Sequence, residues 1–358
     1  MPSGHDLKTF LHFLLAMCRN AHGAGGSQST FYAKEAQPMP SIFSIVTPTF
    51  NQLDWLRLCI ASVRDQVIAT PSTLNSRPST LFSIEHIIQD AGTPGIEELA
   101  RELGAEFYRE GQLIFHAKEC GAGVPPAILQ STTDKAANYS LKFFSEKDAG
   151  MYDAINHGLA RSSGEICAWL NSDEQYLPDA FSKAADLFRQ RPELDVLLGD
   201  AILLNSALEP VCYRRIMVPS LWHTRLDHLH SLSCAMFFKK SAMPNPPLNP
   251  RWKVVSDAVL MEHFLVNRKT IHACQLPLAA YTFTGQNLSA DKNCKELEQW
   301  WAETRWPPRA LKPLVVTHNR FRRLLADAYR SFHLDTKIHT LSGYKSLKGS
   351  VSGLWPAH

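Results

Sequence analysis

The stretch from Ser145 to Leu177, SEKDAGMYDAINHGLARSSGEICAWLNSDEQYL, leaves this chain few folds to choose from. Asp153 is a helix-capping residue type, and Ala154, Ile155, Gly158 and Leu159 recur at helical spacing behind it until Ser163-Gly164 stops the pattern. Ile166 to Leu170 then runs apolar without alternation, as a strand covered on both faces must. Directly after it the polarity reverses into Asn171, Ser172, Asp173 and Glu174. Helix, doubly buried strand and acidic strand end, in that order, describe an α/β protein with a mostly parallel sheet. Ligands of such sheets bind just past the carboxyl ends of strands, so two adjacent acids there are placed to hold a hard cation and, through it, phosphates.

The pattern recurs on either side. Phe43 to Val46 is a β-rich run that Pro48-Thr49-Phe50-Asn51 interrupts, before Leu53, Leu56, Leu58, Ile60 and Val63 bring in helical spacing. Ile84 to Gln89 is a second strand, ending in Asp90-Ala91-Gly92-Thr93-Pro94-Gly95 ahead of a helix from Ile96 to Leu103. Lys142 to Ser145 is a short strand entering the central stretch. Downstream, Pro178 opens a helix with Ala180, Phe181, Ala184, Leu187 and Phe188 on its buried face. Val196 to Leu204 and Val211 to Tyr213 read as strands joined through Asn205-Ser206, and Ala235 to Phe238 as another. Ser256 to Val266 is a helix carrying Asp257 and Glu262, and Ile271 to Leu276 and Ala279 to Phe283 are two closing strands.

Residues 1–40 read as an arm and linker, 41–293 as the α/β domain, and 294–358 as a helical extension with basic, aromatic patterns around Trp300 and around Phe321 to Tyr329. Thr70 to Ser83 reads as an exposed Ser/Thr/Pro-rich insertion, while 112–140 has no clear period. A net charge of +3 over 358 residues is too small to argue for nucleic acid. The 8 cysteines include no C-x-x-C pair, so neither a zinc site nor a disulfide framework is indicated, and reduced thiols in a cytosol are the simpler expectation. The apolar stretch Phe10 to Cys18 is too short to span a membrane and reads as an amphipathic arm rather than a targeting signal.

Four motifs in order give the chain a resemblance, over about Phe43 to Ser289, to family 2 glycosyltransferases. These are Pro48-Thr49-Phe50-Asn51 ending the first strand, Ile87 to Thr93 at the second, Ser145 to Gly158, and Leu170 to Asp173 with Glu174 where the family usually has aspartate. The resemblance implies a GT-A fold, a Rossmann-like, mostly parallel sheet flanked by helices. It implies an inverting transfer of a sugar from a nucleotide-diphosphate donor, UDP by expectation, to a hydroxyl of a glycan or lipid-linked acceptor in polysaccharide assembly. Pro48, Thr49, Phe50, Asn51, Asp90 and Asp148 would line the nucleotide pocket, with Asp90 accepting from the base. Asp173 and Glu174 would hold Mn²⁺ or Mg²⁺, and Asp257 would be the catalytic base.

Such chemistry needs a cation on the leaving diphosphate and a carboxylate on the acceptor hydroxyl, on opposite sides of the anomeric carbon. The competing expectation is a catalytically silent GT-A module that binds nucleotide sugar or glycan, prompted by Glu174 and by His263-Phe264 in place of the family's Arg-Leu. His223, His228 and His230 are expected to face solvent or acceptor rather than a metal. Arg322 and Arg323 either dock on a membrane surface or pack over the domain. A cytoplasmic protein, free or peripheral at the inner membrane face, is the expectation from these readings.

Overall fold

The computed structural model describes residues 41–68, 82–116, 138–227, 229, 231–285, 287, 295–304 and 308–355. The expected arm 1–40, nearly all of the insertion Thr70 to Ser83, and His228 and His230 lie outside them. In chain order the first half contains β1 (Ser41–Thr49), α1 (Leu53–Ile68), β2 (Phe82–Asp90), α2 (Ile96–Glu102), β3 (Glu106–Arg109), β4 (Gln112–Phe115) and β5 (Tyr139–Ser145). The centre follows with α3 (Met151–Arg161), β6 (Ile166–Trp169), β7 (Glu174–Tyr176), α4 (Ala180–Gln190), β8 (Val196–Leu204) and β9 (Pro210–Arg214). The rest comprises α5 (Leu221–Leu226), β10 (Met236–Lys239), α6 (Ser256–Val266), β11 (Ile271–Thr282), α7 (Lys295–Glu303), α8 (Lys312–Leu325), β12 (Ser331–Thr340) and β13 (Gly343–Ser352).

One sheet runs β4-β3-β5-β2-β1-β6-β10-β8-β11-β7, with β9 paired to β8. The long pairings, β1 with β2, β2 with β5 and β8 with β11, are parallel; the antiparallel ones are short. Alternation along β1 sends Phe43 and Ile45 to one face, against Val63 of α1 and Phe181 and Ala184 of α4. Val46 goes to the other, among Ile155 and Leu159 of α3 and Leu260 and Phe264 of α6. Helices therefore cover both faces, which is why β1 and β6 have no polar side to show water.

The central helix lies unusually close to the sheet. A Cβ on Gly158 would stand 2.4 Å from Val46 Cγ1, so only glycine lets α3 approach β1 at this point. Gly164 meets β1 in the same way, with a Cβ position 2.7 Å from the Ile42 carbonyl oxygen. These are two of the glycines that ended and punctuated the motif in the sequence. The helix begins at Met151 instead of behind an Asp153 cap, because Asp153 sits in the first turn and accepts from the Ala149 N–H at 2.9 Å.

Three other expectations change. β1 runs through Pro48 to Thr49; its pairing with β6 ends at Val46, so the missing N–H of Pro48 breaks no ladder bond on that side. The two expected closing strands are one, β11, bent by register shifts at Ala273 and Pro277. The segment after 294 is helical only as far as α8. It then forms the β12–β13 hairpin, paired from Ser331↔Ser352 to Thr340↔Gly343. The hairpin belongs to the globule: Phe332 stacks on Tyr213 at 4.0 Å, and Gln175 of β7 exchanges two hydrogen bonds with the His339 backbone, at 2.8 and 3.2 Å.

Candidate active site

Strands β5, β2, β1 and β6 are neighbours and parallel, so their carboxyl ends form one row. Thr49, Asp90 and Ser145 are in register across three of them. The chain leaving β6 continues the row as Leu170 to Asp173, and the Leu170 N–H still donates to the Val46 carbonyl at 2.9 Å. The turns are tied to each other: the Asn51 N–H donates to Thr93 Oγ1 at 2.9 Å, and Ser172 Oγ donates to Gln52 Oε1. The four segments singled out in the sequence thus meet at one edge of the sheet. Phe50 projects from that edge, 58% exposed.

Asp90 is fully buried, and its carboxylate accepts from the Gly92 and Thr93 N–H groups at 2.9 to 3.1 Å and from Ser145 Oγ at 2.8 Å. It builds the turn at the floor of the row. Asp148 is half-buried above it and accepts from the Gly150 N–H at 2.8 Å. Burial holds the Asp148 carboxyl above its ordinary value, and the charges of Asp153 and Asp90 push the same way.

Asp173 and Glu174 stand at the far end of the row. Asp173 Oδ2 accepts from Asn287 Nδ2 at 2.9 Å, and Asn287 in turn accepts from the Thr284 N–H, so the segment leaving β11 closes over this acid. Glu174, 1% exposed, accepts from the Asn171 N–H through Oε2 at 2.8 Å, while its Oε1 is buried with no partner in the protein. Burial pushes both carboxyls up, and the Asp173 charge pushes Glu174 further. Two carboxylates held out of water beside each other, one with an orphaned oxygen, are a hard-oxygen donor set that a divalent cation would neutralise; the residues fit Mn²⁺ or Mg²⁺. Among the described residues no group of three or more His, Cys, Asp or Glu converges on one point, so water and phosphate oxygens would have to complete the shell, as is usual for Mg²⁺.

Asp257 lies in the first turn of α6, half-buried, and accepts from the Ala258 N–H at 2.8 Å. Burial pushes its pKa up to about 6, partly offset by the hydrogen bonds from Ala258 and from the Tyr152 hydroxyl. Its charge also raises Glu174, after burial and the Asp173 charge.

The role of Tyr152 and Asn156 escaped the sequence reading, which placed the central motif on the nucleotide side alone. Four residues apart on α3, they share a face. Tyr152 donates to the Val254 carbonyl at 3.1 Å and reaches Asp257. Asn156 exchanges hydrogen bonds with the Leu248 backbone at 2.7 and 2.9 Å. The central helix therefore fixes the loop that delivers Asp257, and the Y-D-A-x-N spacing was the signal. The histidine expectation changes as well. His223 is 1% exposed, stacks on His318 and receives Arg322 Nη1 at 2.9 Å, so it is packed beneath α8 and does not face acceptor or solvent. Arg323 is buried too and donates to the Arg215 carbonyl, which settles both arginines as packing over the domain.

Residues 125–241 match the sequence profile of the family described as glycosyl transferase family 2. That segment of the chain is similar to family 2 glycosyltransferases. The match covers the central motif and the acids 173 and 174; the turns at 48–51 and 90–95 and Asp257 lie outside it. No curated protein matches the chain. Among solved structures, S. aureus TarS 1-349 in complex with UDP-GlcNAc is similar at 14% identity and a TM-score of 0.49, over 80% of this chain and 73% of that one. S. aureus TarS 1-349 without ligand gives 14% and 0.46, over 87% and 99%. These scores are too low to carry anything from TarS to this chain.

Proposed function

We propose that this chain is a family 2 glycosyltransferase that moves a sugar, with inversion, from a UDP-sugar to a hydroxyl of a growing glycan. What supports the reading is that α3, whose entering loop holds Asp148 beside the row of strand ends, also ties down through Tyr152 and Asn156 the loop that carries Asp257. Phe50 supplies an exposed aromatic face for the base, and Asp148 a carboxylate for its N–H or for the ribose. Asp90, enclosed in its turn, acts by shaping that pocket. When bound at Asp173 and Glu174, a divalent cation would offset charge on the leaving diphosphate.

Asp257 takes the acceptor proton as the hydroxyl attacks the anomeric carbon. A pKa near 6 leaves it ionised at neutral pH yet basic enough to share a proton in the transition state. The Ala258 N–H holds the carboxylate in place, with the Tyr152 hydroxyl fixing the loop just before it, and attack from the side opposite the diphosphate inverts the anomeric centre. For a lipid-linked acceptor, the outward face of α8 offers a peripheral contact with the inner leaflet: Leu314, Phe321, Leu324 and Leu325 are exposed there beside Lys312 and Arg320. No described helix is long and apolar enough to cross a membrane.

The test is a thermal-shift titration of UDP- and ADP-sugars with Mn²⁺ or with EDTA. A ligand at about 100 times its Kd stabilises the native state by about 2.7 kcal/mol, well within reach of the assay. UDP-sugar with Mn²⁺ should give the largest shift; a larger shift with ADP-sugar, or one indifferent to EDTA, overturns the donor and metal assignments.

A further inference from the structure

Helix α8 is seated the wrong way round for a surface that meets only water. Its buried side chains are polar: Asn319 and Arg323, four residues apart on one face. Asn319 Nδ2 donates to Asp227 Oδ2 at 2.8 Å, and Arg323 Nη1 donates to the Arg215 carbonyl at 3.2 Å. The apolar side chains are on the outside. Leu314, Phe321 and Leu325 follow at intervals of seven and four residues, which makes them a single stripe, and Leu324 widens it. All four are more than half exposed, and Leu325, at 71%, is the most exposed large apolar residue among those described. A contiguous apolar face of this kind marks an interaction surface.

Charge around the stripe selects the partner. From 304 to 326 the sequence holds six arginines and lysines and no acid. Arg309, Lys312 and Arg320 are exposed. Arg320 and Arg322 flank the stripe on opposite sides. Arg322 is anchored by His223 Nδ1 at 2.9 Å and the Val218 carbonyl at 3.2 Å, which brings the exposed Val218 to the edge of the stripe. The bordering acids stand at the two ends of the helix: Glu298 beside Arg309 and Lys312, and Asp327, which pairs with Arg330 at 4.0 Å. An apolar strip rimmed by cations matches the boundary between phosphate headgroups and acyl chains in an anionic bilayer. A second copy of the chain would instead set the same arginines against each other.

We propose that α8 is a dock for a bilayer containing anionic lipid, with Leu314, Phe321, Leu324 and Leu325 entering the acyl boundary and Arg309, Lys312 and Arg320 meeting the phosphates. The dock stands on α8 alone; its use for a lipid-linked acceptor rests on the glycosyltransferase reading. Packing joins it to the base. Asn319 holds Asp227 at the end of α5, Arg225 of α5 donates through Nε to Glu262 at 2.7 Å, and Glu262 shares α6 with Asp257. The face that meets lipid and the helix that carries the base are thus connected through α5.

The full chain is sedimented with vesicles of phosphatidylcholine and with vesicles of equal parts phosphatidylcholine and phosphatidylglycerol, at low and at high salt. The mixed vesicles should bind it, phosphatidylcholine alone should not, and salt should weaken the binding. Arg320→Ala should lower affinity for the mixed vesicles about fivefold, the usual effect of one cation at an anionic surface. Phe321→Ser combined with Leu325→Ser should lower it about tenfold or more. These side chains are exposed, so thermal unfolding should stay at the parental temperature in every variant. No binding to mixed vesicles, equal binding to both kinds, or binding that survives all of these substitutions would each overturn the dock, the last by placing the contact elsewhere on the chain. A chain that is dimeric in solution and turns monomeric in Phe321→Ser with Leu325→Ser would overturn it too, by giving the face to a second copy. Binding to mixed vesicles through α8 without a thermal shift by any UDP-sugar would sink the proposed function and leave the dock; a shift by UDP-sugar in a chain that ignores vesicles would do the reverse.

Discussion

Replacing Asp257 by asparagine removes the proton acceptor while keeping nearly everything else about the side chain. The amide oxygen can still accept from the Ala258 N–H, 2.8 Å away in the parent, and from Tyr152, so the start of α6 and the loop behind it should stay in place. A positioned base contributes ~10²–10⁴-fold to rate, and turnover of UDP-sugar should fall by about that factor. Donor affinity should barely change, because the donor is held by the row of strand ends. The structure adds a second signature. With a pKa near 6, the carboxylate is about one-tenth ionised at pH 5 and almost wholly ionised at pH 8. Parental turnover should therefore rise about tenfold over that interval with a midpoint near 6, and Asp257→Asn should lose that limb along with the rate. Transfer measured from pH 5 to 8, with UDP binding followed on the same protein, checks both. A variant working at the parental rate with the limb intact would refute the assignment. The neighbouring acids would not replace it easily: Glu262 accepts from Arg225 Nε at 2.7 Å, and Asp227 from Asn319.

Three further outcomes are expected. Asp173→Ala should abolish the Mn²⁺-dependent part of UDP-sugar binding while Glu174→Asp retains it, read as the thermal shift lost on adding EDTA; equal shifts with and without EDTA in the parent would remove the metal from the account. Gly158→Ala should destabilise by about 1–3 kcal/mol in urea unfolding, because its Cβ would overlap Val46 Cγ1 at 2.4 Å, and Val46→Ala in the same chain should recover part of the loss; additive losses would show that the overlap is not the cause. His86, fully buried between Thr47 Oγ1 at 2.9 Å and the Tyr139 hydroxyl at 3.0 Å, is pulled by burial from 6.5 to about 3. Below its unfolded pKa the unfolded chain binds a proton that the folded chain refuses, so stability is full above about pH 6.5 and drains away as pH falls toward 3. His86→Gln should flatten that slope, and an unchanged slope would shift the cause to other groups.

The local sequence determined the repeating strand, polar end and helix of the first half, since a continuous apolar run followed by an abrupt change of polarity needs no distant partner to be recognised. Val196 to Leu204 and Ser256 to Val266 were legible for the same reason: each carries its own period over its whole length. The acids at 90, 148, 173, 174 and 257 were visible as candidates through motif order. Other features depend on what lies across space. The hairpin β12–β13 alternates Phe332, Leu334 and Ile338 inward, a pattern hidden by its basic and aromatic composition and given meaning only by the β9 and β7 surface it covers. That Asp90 is consumed by its own turn, that Tyr152 and Asn156 tie down the loop before Asp257, and that Arg323 donates to the Arg215 carbonyl were all undecided in the linear order. Periodicity reports which face of an element is buried, because burial repeats with the element's own geometry. It does not report which buried group meets which, because hydrogen bonds and charges act over a few ångströms between residues about a hundred positions apart, and only the packed sheet and its helices bring those residues within that range.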